Sequence, residues 1–149
     1  MRSDLGIGPQ SRPYTNFQHI QLRGLPATKR QQDLLDIAFA TRAARYPDKN
    51  ERQLRANFWA NASQSVQRKP WGDHPMVLTT SSELYSFEAD VVLSGASHLR
   101  LLGAPSNISH DISESRLRKL AGEAYSVPLM SIIFTAVYLC PHQPWWNQG

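Results

Sequence analysis

The groups able to do chemistry are spread thinly along this chain. Its five histidines, His19, His74, His98, His110 and His142, show neither His-x-His nor His-x-x-x-His spacing, and Cys140, the single cysteine, has only His142 as a neighbouring ligand type. Structural and catalytic metal sites need three or four converging donors, so no metal is expected. Ser81, Ser82 and Asp90 would need a histidine to complete a hydrolase triad, and the sequence lacks the Gly-x-Ser-x-Gly elbow of such enzymes. Ser and Thr in that stretch more simply satisfy the backbone groups of a turn. The remaining reactive groups are cations: Arg52, Arg55, Arg68 and Lys69 flank a break around Trp71. Lys and Arg that neutralise phosphates release condensed counterions, so this cluster suits contacts to a polyanion such as DNA; a solvated helix face gives the same pattern. Trp59 and Trp71 read as core and lid aromatics before base-stacking platforms. Trp145 and Trp146, adjacent on a short tail after Pro144, either fold back or mark a contact surface.

These groups need a scaffold, and composition bounds it. The 149 residues are 41% hydrophobic, 19% charged and 9% aromatic, which suits one ordinary soluble domain and is too apolar for a disordered chain. The longest nearly apolar run, residues 127–140, is interrupted by Ser131 and Thr135 and is shorter than the ~20 residues that span a bilayer. No membrane segment is therefore expected. One cysteine precludes an internal disulfide framework, and Met1-Arg2-Ser3-Asp4 lacks the apolar run of a secretory signal, so the expected compartment is intracellular and reducing. The net charge of +4 is uneven: residues 1–75 carry 12 Lys/Arg against 6 Asp/Glu, and residues 76–149 carry 4 against 6.

The pattern of caps and breakers predicts the elements. Residues 1–28, with Gly6, Gly8, Pro9, Pro13, Gly24 and Pro26 and little periodicity, read as a flexible arm. Thr28 caps a helix in which Leu34, Leu35, Ala38, Phe39 and Ala43 recur at helical spacing until Pro47. A second helix is expected from about Asp48 to Gln67, with Asp48 and Glu51 as a capping box and Leu54, Phe58 and Ala62 as its stripe. Residues 69–75 break regular structure. Residues 76–79 and 90–93 have the short β-branched character of strands. Ser94 caps a short helix containing Leu99, Leu101 and Leu102 that stops at Gly103 and Pro105. Ser113 opens another that Gly122 terminates, and Pro128 begins a last helix to about Leu139, apolar nearly all round. The expected organisation is an arm over 1–28, one domain over 29–144 and a tail over 145–149.

Leu93-Ser94-Gly95-Ala96-Ser97-His98-Leu99-Arg100-Leu101-Leu102-Gly103-Ala104-Pro105, followed by Ala121-Gly122-Glu123-Ala124-Tyr125-Ser126-Val127-Pro128-Leu129, resembles in order and spacing the last two signature motifs of the DNA cytosine-5 methyltransferases. The first family motif, Arg-x-Leu-Thr-x-x-Glu-x-x-Arg-Leu-x-Gly-Phe-Pro, is matched at Leu93, Ser94 in place of Thr, Arg100, Leu101, Gly103 and Pro105. The second, Ile-Gly-Asn-Ala-Val-x-Val-Pro-Leu, is matched at Gly122, Ala124, Val127, Pro128 and Leu129. Leu78-Thr79-Thr80 is similar to the Thr-rich segment by which members rejoin the catalytic fold after their target-recognition region.

The resemblance implies an α+β chain, mainly helical with a few short strands, forming part of a Rossmann-like methyltransferase domain. Gly122, Glu123, Ala124 and Val127 would lie beside S-adenosylmethionine, and Thr79, Thr80 and Arg100 would join the four cations on DNA. The family flips cytosine from the duplex, attacks it with a cysteine and methylates C5. Several positions depart from the pattern: Val91 replaces the Arg of the first motif, Ser97 its Glu, and Glu123 the Asn of the second. A carboxylate cannot donate as an Asn amide does, and near the cofactor's carboxylate it repels. The nucleophile's Pro-Cys-Gln tripeptide and the base-positioning Glu-Asn-Val do not occur in the sequence, and Cys140 lies after the second motif. Asp4-Leu5-Gly6-Ile7-Gly8 echoes the family's glycine-rich cofactor loop, but no apolar strand precedes it and Pro9 follows it.

The expectation is thus a C-terminal piece of a cytosine-5 methyltransferase-like protein, about residues 53–140, that does not methylate or hold the cofactor alone. It would bind DNA or complete a partner's catalytic half, in the nucleus if the source is eukaryotic. The rival expectation is a non-catalytic assembly module whose apolar last helix and Trp145-Trp146 tail dock on a partner protein.

Overall fold

A Thr-x-x-Gln box starts the longest helix. In the computed structural model, which describes residues 2–16, 24–105, 107, 111–124 and 127–139, Thr28 is the N-cap of α1 (Lys29–Arg45). Its hydroxyl oxygen accepts the Gln31 backbone N–H at 3.3 Å, and the Gln31 side-chain oxygen accepts the Thr28 N–H at 3.3 Å. Each bond satisfies a donor that a helix start leaves open. Leu34, Leu35, Ala38 and Phe39 are buried along α1, and Arg42 and Arg45 in its last turn suit the negative end of the helix dipole.

The second helix is a correction. Instead of running to Gln67, α2 covers only Glu51–Arg55, and its capping box is Asn50 with Gln53 in place of Asp48 with Glu51. Asn57 takes a left-handed φ of 51°, after which Trp59–Asn61 leaves as strand β1. Pairing on both sides of β1 outweighs the weak helical preference signalled by the four-residue spacing of Leu54, Phe58 and Ala62. With β2 (Trp71–Gly72), β3 (Leu84–Ser86) and β4 (Val91–Val92), it forms an antiparallel sheet in the order β2-β1-β3-β4. Ala60 faces Trp71 on one side and Tyr85 on the other, and Tyr85 faces Val92.

Of the two strands expected, the one at 90–93 is present as β4, whereas residues 76–79 carry no regular structure. A short apolar run reads alike as strand or connector until its pairing partners are known. The Ser/Thr turn behind it is satisfied as its residue types suggest: Ser82 Oγ accepts the Thr79 N–H at 2.8 Å and the Asn61 amide at 3.1 Å. Along β4, the Val92 N–H donates to the Gly24 carbonyl at 3.2 Å. Gly24 has a φ of +62°, and a Cβ there would fall 2.8 Å from Val91 Cγ2, so both the backbone angle and the close approach require glycine.

The N-terminal segment differs from a free arm. Tyr14 is 1% exposed in the core, and the fully buried Asp36 of α1 accepts the N–H groups of Tyr14 (3.0 Å) and Thr15 (2.8 Å), the Thr15 hydroxyl (2.9 Å) and the Arg12 guanidinium (3.2 Å). A buried carboxylate demands such donors. Local periodicity does not reveal them, because Asp36 lies 21 residues beyond Thr15 in the chain.

Around Tyr14 gather Phe39, Phe58, Tyr85 and Phe87. The Phe87 ring centre lies 4.7 Å from Tyr14, 6.3 Å from Phe39, 4.5 Å from Phe58 and 5.2 Å from Tyr85. Tilted and edge-on rings add to what burial alone contributes. Asp90, at the end of the β3–β4 loop, accepts the Tyr14 and Tyr85 hydroxyls at 2.8 and 2.5 Å and faces Arg55 at 3.4 Å. Burial pushes both phenols far above their ordinary pKa, so both remain donors to the carboxylate.

By its contacts the chain divides into two compact units, residues 1–93 and 94–149. In the second unit, Ser94 caps α3 (Gly95–Leu101), accepting the Ser97 N–H at 3.1 Å, and Gly103 with a φ of 89° follows its end. After Ser113, α4 (Glu114–Glu123) packs against α3 with Leu117 and Ala121 buried. Gly122 is another correction: it does not terminate the helix but lies inside its last turn, with Ala124 as C-cap. Burial of Ala121 one residue earlier offsets the ~1 kcal/mol that a glycine costs within a helix.

α5 (Val127–Leu139) begins at the Pro128 signal and leaves Leu129, Ile132, Phe134 and Tyr138 at 54, 66, 51 and 73% exposure. Its 13 residues are too few to cross a bilayer. By length and composition alone, the sequence Glu114–Leu139 reaches what a membrane span needs. Cys140 and the Trp145-Trp146 tail lie outside the described residues. The fold is α+β; a Rossmann-like layer is parallel, and the four described strands pair antiparallel.

Candidate functional site

The first motif folds against α4, the helix that leads into the second. Gly95, in the first motif, begins α3 where a Cβ would stand 2.6 Å from Leu117 Cβ and 2.7 Å from the Arg118 nitrogen of α4. No residue but glycine admits that approach without a shift. The Gly95 N–H donates to the Glu114 carboxylate at 2.5 Å, so the exposed donors at the start of α3 are met from α4 as well as by Ser94. Between the helices His98 is 1% exposed, and its Nε2 has no hydrogen-bond partner among the described residues. Burial lowers its pKa, the nearby Arg118 charge acts in the same direction, and Glu114 opposes them. His98 is a neutral packing residue in this contact, and among the described residues no His/Cys/Asp/Glu group could hold a metal.

The residues implied for S-adenosylmethionine do not form a cradle for it on this chain. Gly122 is helical, so it offers no open glycine turn for close backbone approach. Glu123 is exposed and 4.0 Å from Lys119 Nζ, Ala124 caps α4, and Val127 begins α5. Glu123 borders a shallow hollow of about 380 Å³ with Ile112, Arg116, Lys119 and Leu120. Its carboxylate accepts hydrogen bonds only, whereas the cofactor's own carboxylate needs donors. These residues do not fit the group unaided.

The DNA candidates occupy several elements. Arg52 is exposed on α2 and shares a hollow of about 600 Å³ with Glu51, Arg55, Ala56 and Glu88. Arg55 is committed inward: its Nε donates to the Phe87 carbonyl at 2.7 Å and it faces Asp90. The cause is the Tyr14–Tyr85–Asp90 cluster, whose carboxylate is offset by the Arg55 guanidinium. Arg68 and Lys69 are exposed in the turn before β2, Lys69 with a φ of 49°. Thr79 and Thr80 are exposed in the loop before β3, and Arg100 is exposed on α3 of the second unit.

One arrangement escapes the sequence reading. Tyr46, the residue that caps α1, carries Lys49 Nζ 4.3 Å above its ring and the Arg45 and Arg42 guanidinium carbons at 5.4 and 5.9 Å. The signal was available in the i−4 and i+3 spacing of Arg42 and Lys49 about Tyr46. No protein-family model, curated protein or solved structure matches this chain.

Proposed function

We propose that this chain is the C-terminal part of a DNA cytosine-5 methyltransferase-like catalytic domain and that it supports DNA-facing and cofactor-facing elements without performing methyl transfer itself. The observation that carries the reading is the packing of the first motif segment on α4, the helix that leads into the second, with Gly95 resting on Leu117 and Arg118. In this reading, β4 runs through the Ser94 cap into α3, and α4 with α5 would join a Rossmann-like layer completed by a partner's strands. Arg52, Arg68, Lys69, Thr79, Thr80 and Arg100, all exposed, are the groups that would meet phosphates. A nucleophilic sulfur and a glycine-rich cofactor loop must come from another polypeptide or another part of a longer one, because the reaction has no agent without them.

The test is transfer of a labelled methyl group from S-adenosylmethionine to duplex DNA. Purified alone, the chain should transfer none; mixed with a methyltransferase half carrying Pro-Cys-Gln and the glycine-rich loop, it should restore labelling. Transfer by the chain alone, or failure of every such mixture to form a complex, overturns the reading. Duplex affinity should also fall steeply between 50 and 200 mM salt if several phosphates are contacted.

The exposure of α5 favours a second reading, a non-catalytic module whose last helix docks on a partner protein. Light scattering coupled to size exclusion separates the two: a monomer that binds no hydrophobic dye counts against docking.

A further inference from the structure

A hollow of about 680 Å³ opens beside the end of α1, walled chiefly by Arg42, Tyr46, Lys49, Gln53, Trp59 and His74. That volume lies within the ~300–1,000 Å³ of small-ligand clefts. Arg42 is the buried cation of its wall. Its side chain is 9% exposed, its guanidinium carbon lies 4.4 Å from the Phe58 ring centre, and it donates to the Ala56 carbonyl at 3.2 Å and pairs with Asp73. Its Nε is nonetheless buried with no acceptor among the described residues. Lys49 supplies a second cation, held over Tyr46 at 4.3 Å. Asp73 is the single carboxylate among the lining residues, so the wall keeps a net positive charge. Trp59, half-buried in β1, adds an indole to the same wall.

We propose that this hollow binds a nucleotide, a phosphate joined to a planar base, either free or as one unit of a single strand. The phosphate meets the surplus charge of Arg42 and Lys49. The base stacks on Trp59, a contact open to any base because each has a π face. A base inside a duplex is already stacked and cannot enter. No residue of this hollow is among the phosphate contacts proposed above, so the proposal stands apart from the methyltransferase reading, and failure of methyl transfer leaves it intact.

Two probes applied to the full chain test it: anisotropy of a fluorescein-labelled deoxythymidine 12-mer, and equilibrium dialysis of labelled adenosine monophosphate. At least one should bind. Trp59→Leu should weaken binding about tenfold or more, as loss of one stacked base does. Lys49→Glu, at an exposed position between α1 and α2, should weaken it several-fold with the circular dichroism unchanged, and it keeps the test valid if Trp59→Leu does not fold. A 12-mer bound at least tenfold more tightly than the monophosphate identifies the single strand as ligand; equal affinities identify the free nucleotide. Absence of binding by both probes overturns the proposal, as does wild-type affinity in Lys49→Glu.

Discussion

The first unit, residues 1–93, and the second, residues 94–149, treat their apolar residues in opposite ways. The first closes four aromatic rings around Phe87 and recruits Tyr14, one of them, from a segment with no periodicity of its own. Among its described residues the second buries little beyond Gly95, His98, Leu117 and Ala121 at the α3–α4 contact and leaves the apolar α5 exposed. Apolar content therefore does not report which region is self-sufficient. Stability follows burial, and burial depends on whether neighbours exist to cover the face.

The largest effect that would break this contrast is expected at Phe87. Phe87→Ala should cost about 3–5 kcal/mol in urea unfolding, since it empties the centre of the aromatic cluster; a loss under 1 kcal/mol would mean that the first unit does not depend on that core. Gly95→Ala should cost about 1–3 kcal/mol by forcing α3 off α4. Hydrogen exchange reads out the location: amides of α3 and α4 should lose protection while those of β1 and β3 keep theirs, and equal loss in both regions would erase the distinction between the units.

A smaller, pH-dependent effect belongs to His98. Its folded pKa lies below the ordinary 6.5, so the unfolded chain binds the proton more readily. The contribution of His98 is complete above pH 6.5 and is lost as the pH falls from there toward the folded pKa. Thermal unfolding of wild type and His98→Leu compared from pH 7.5 to 5 should show a shallower acid decline in the variant, and parallel curves would remove His98 as the cause. The smallest change is expected on α5, where Ile132→Ser should alter stability by no more than about 0.5 kcal/mol. A larger loss in the isolated chain would show that α5 is already covered.

Much of the helical layout was legible in the sequence. Thr28 and Ser94 cap the helices they were expected to cap, and the stops at Tyr46–Pro47 and Gly103 fall where glycine and proline place them. The helix expected over 48–67 failed because Leu54 and Phe58 share a helical spacing yet bury in the core on either side of the reversal at Asn57. The cationic hollow was illegible for a related reason: Arg42, Tyr46 and Lys49 are neighbours along the chain, but Trp59 and His74 reach the same wall only after the sheet has formed. Arg55 shows the converse, a candidate for an external phosphate that the fold turned toward Asp90.

By itself, the sequence determined the local hydrogen bonds: a side-chain oxygen three residues from an open N–H, a glycine at a positive φ, a proline past a helix end. Those outcomes depend on atoms within one turn of each other. Only the tertiary structure decided which apolar segments became strands, that Tyr14 and Thr15 are tied to Asp36, and that Gly122 stays inside a helix. Each of these is settled by a partner distant in sequence, whose approach costs chain entropy and is rewarded only when the contact is buried.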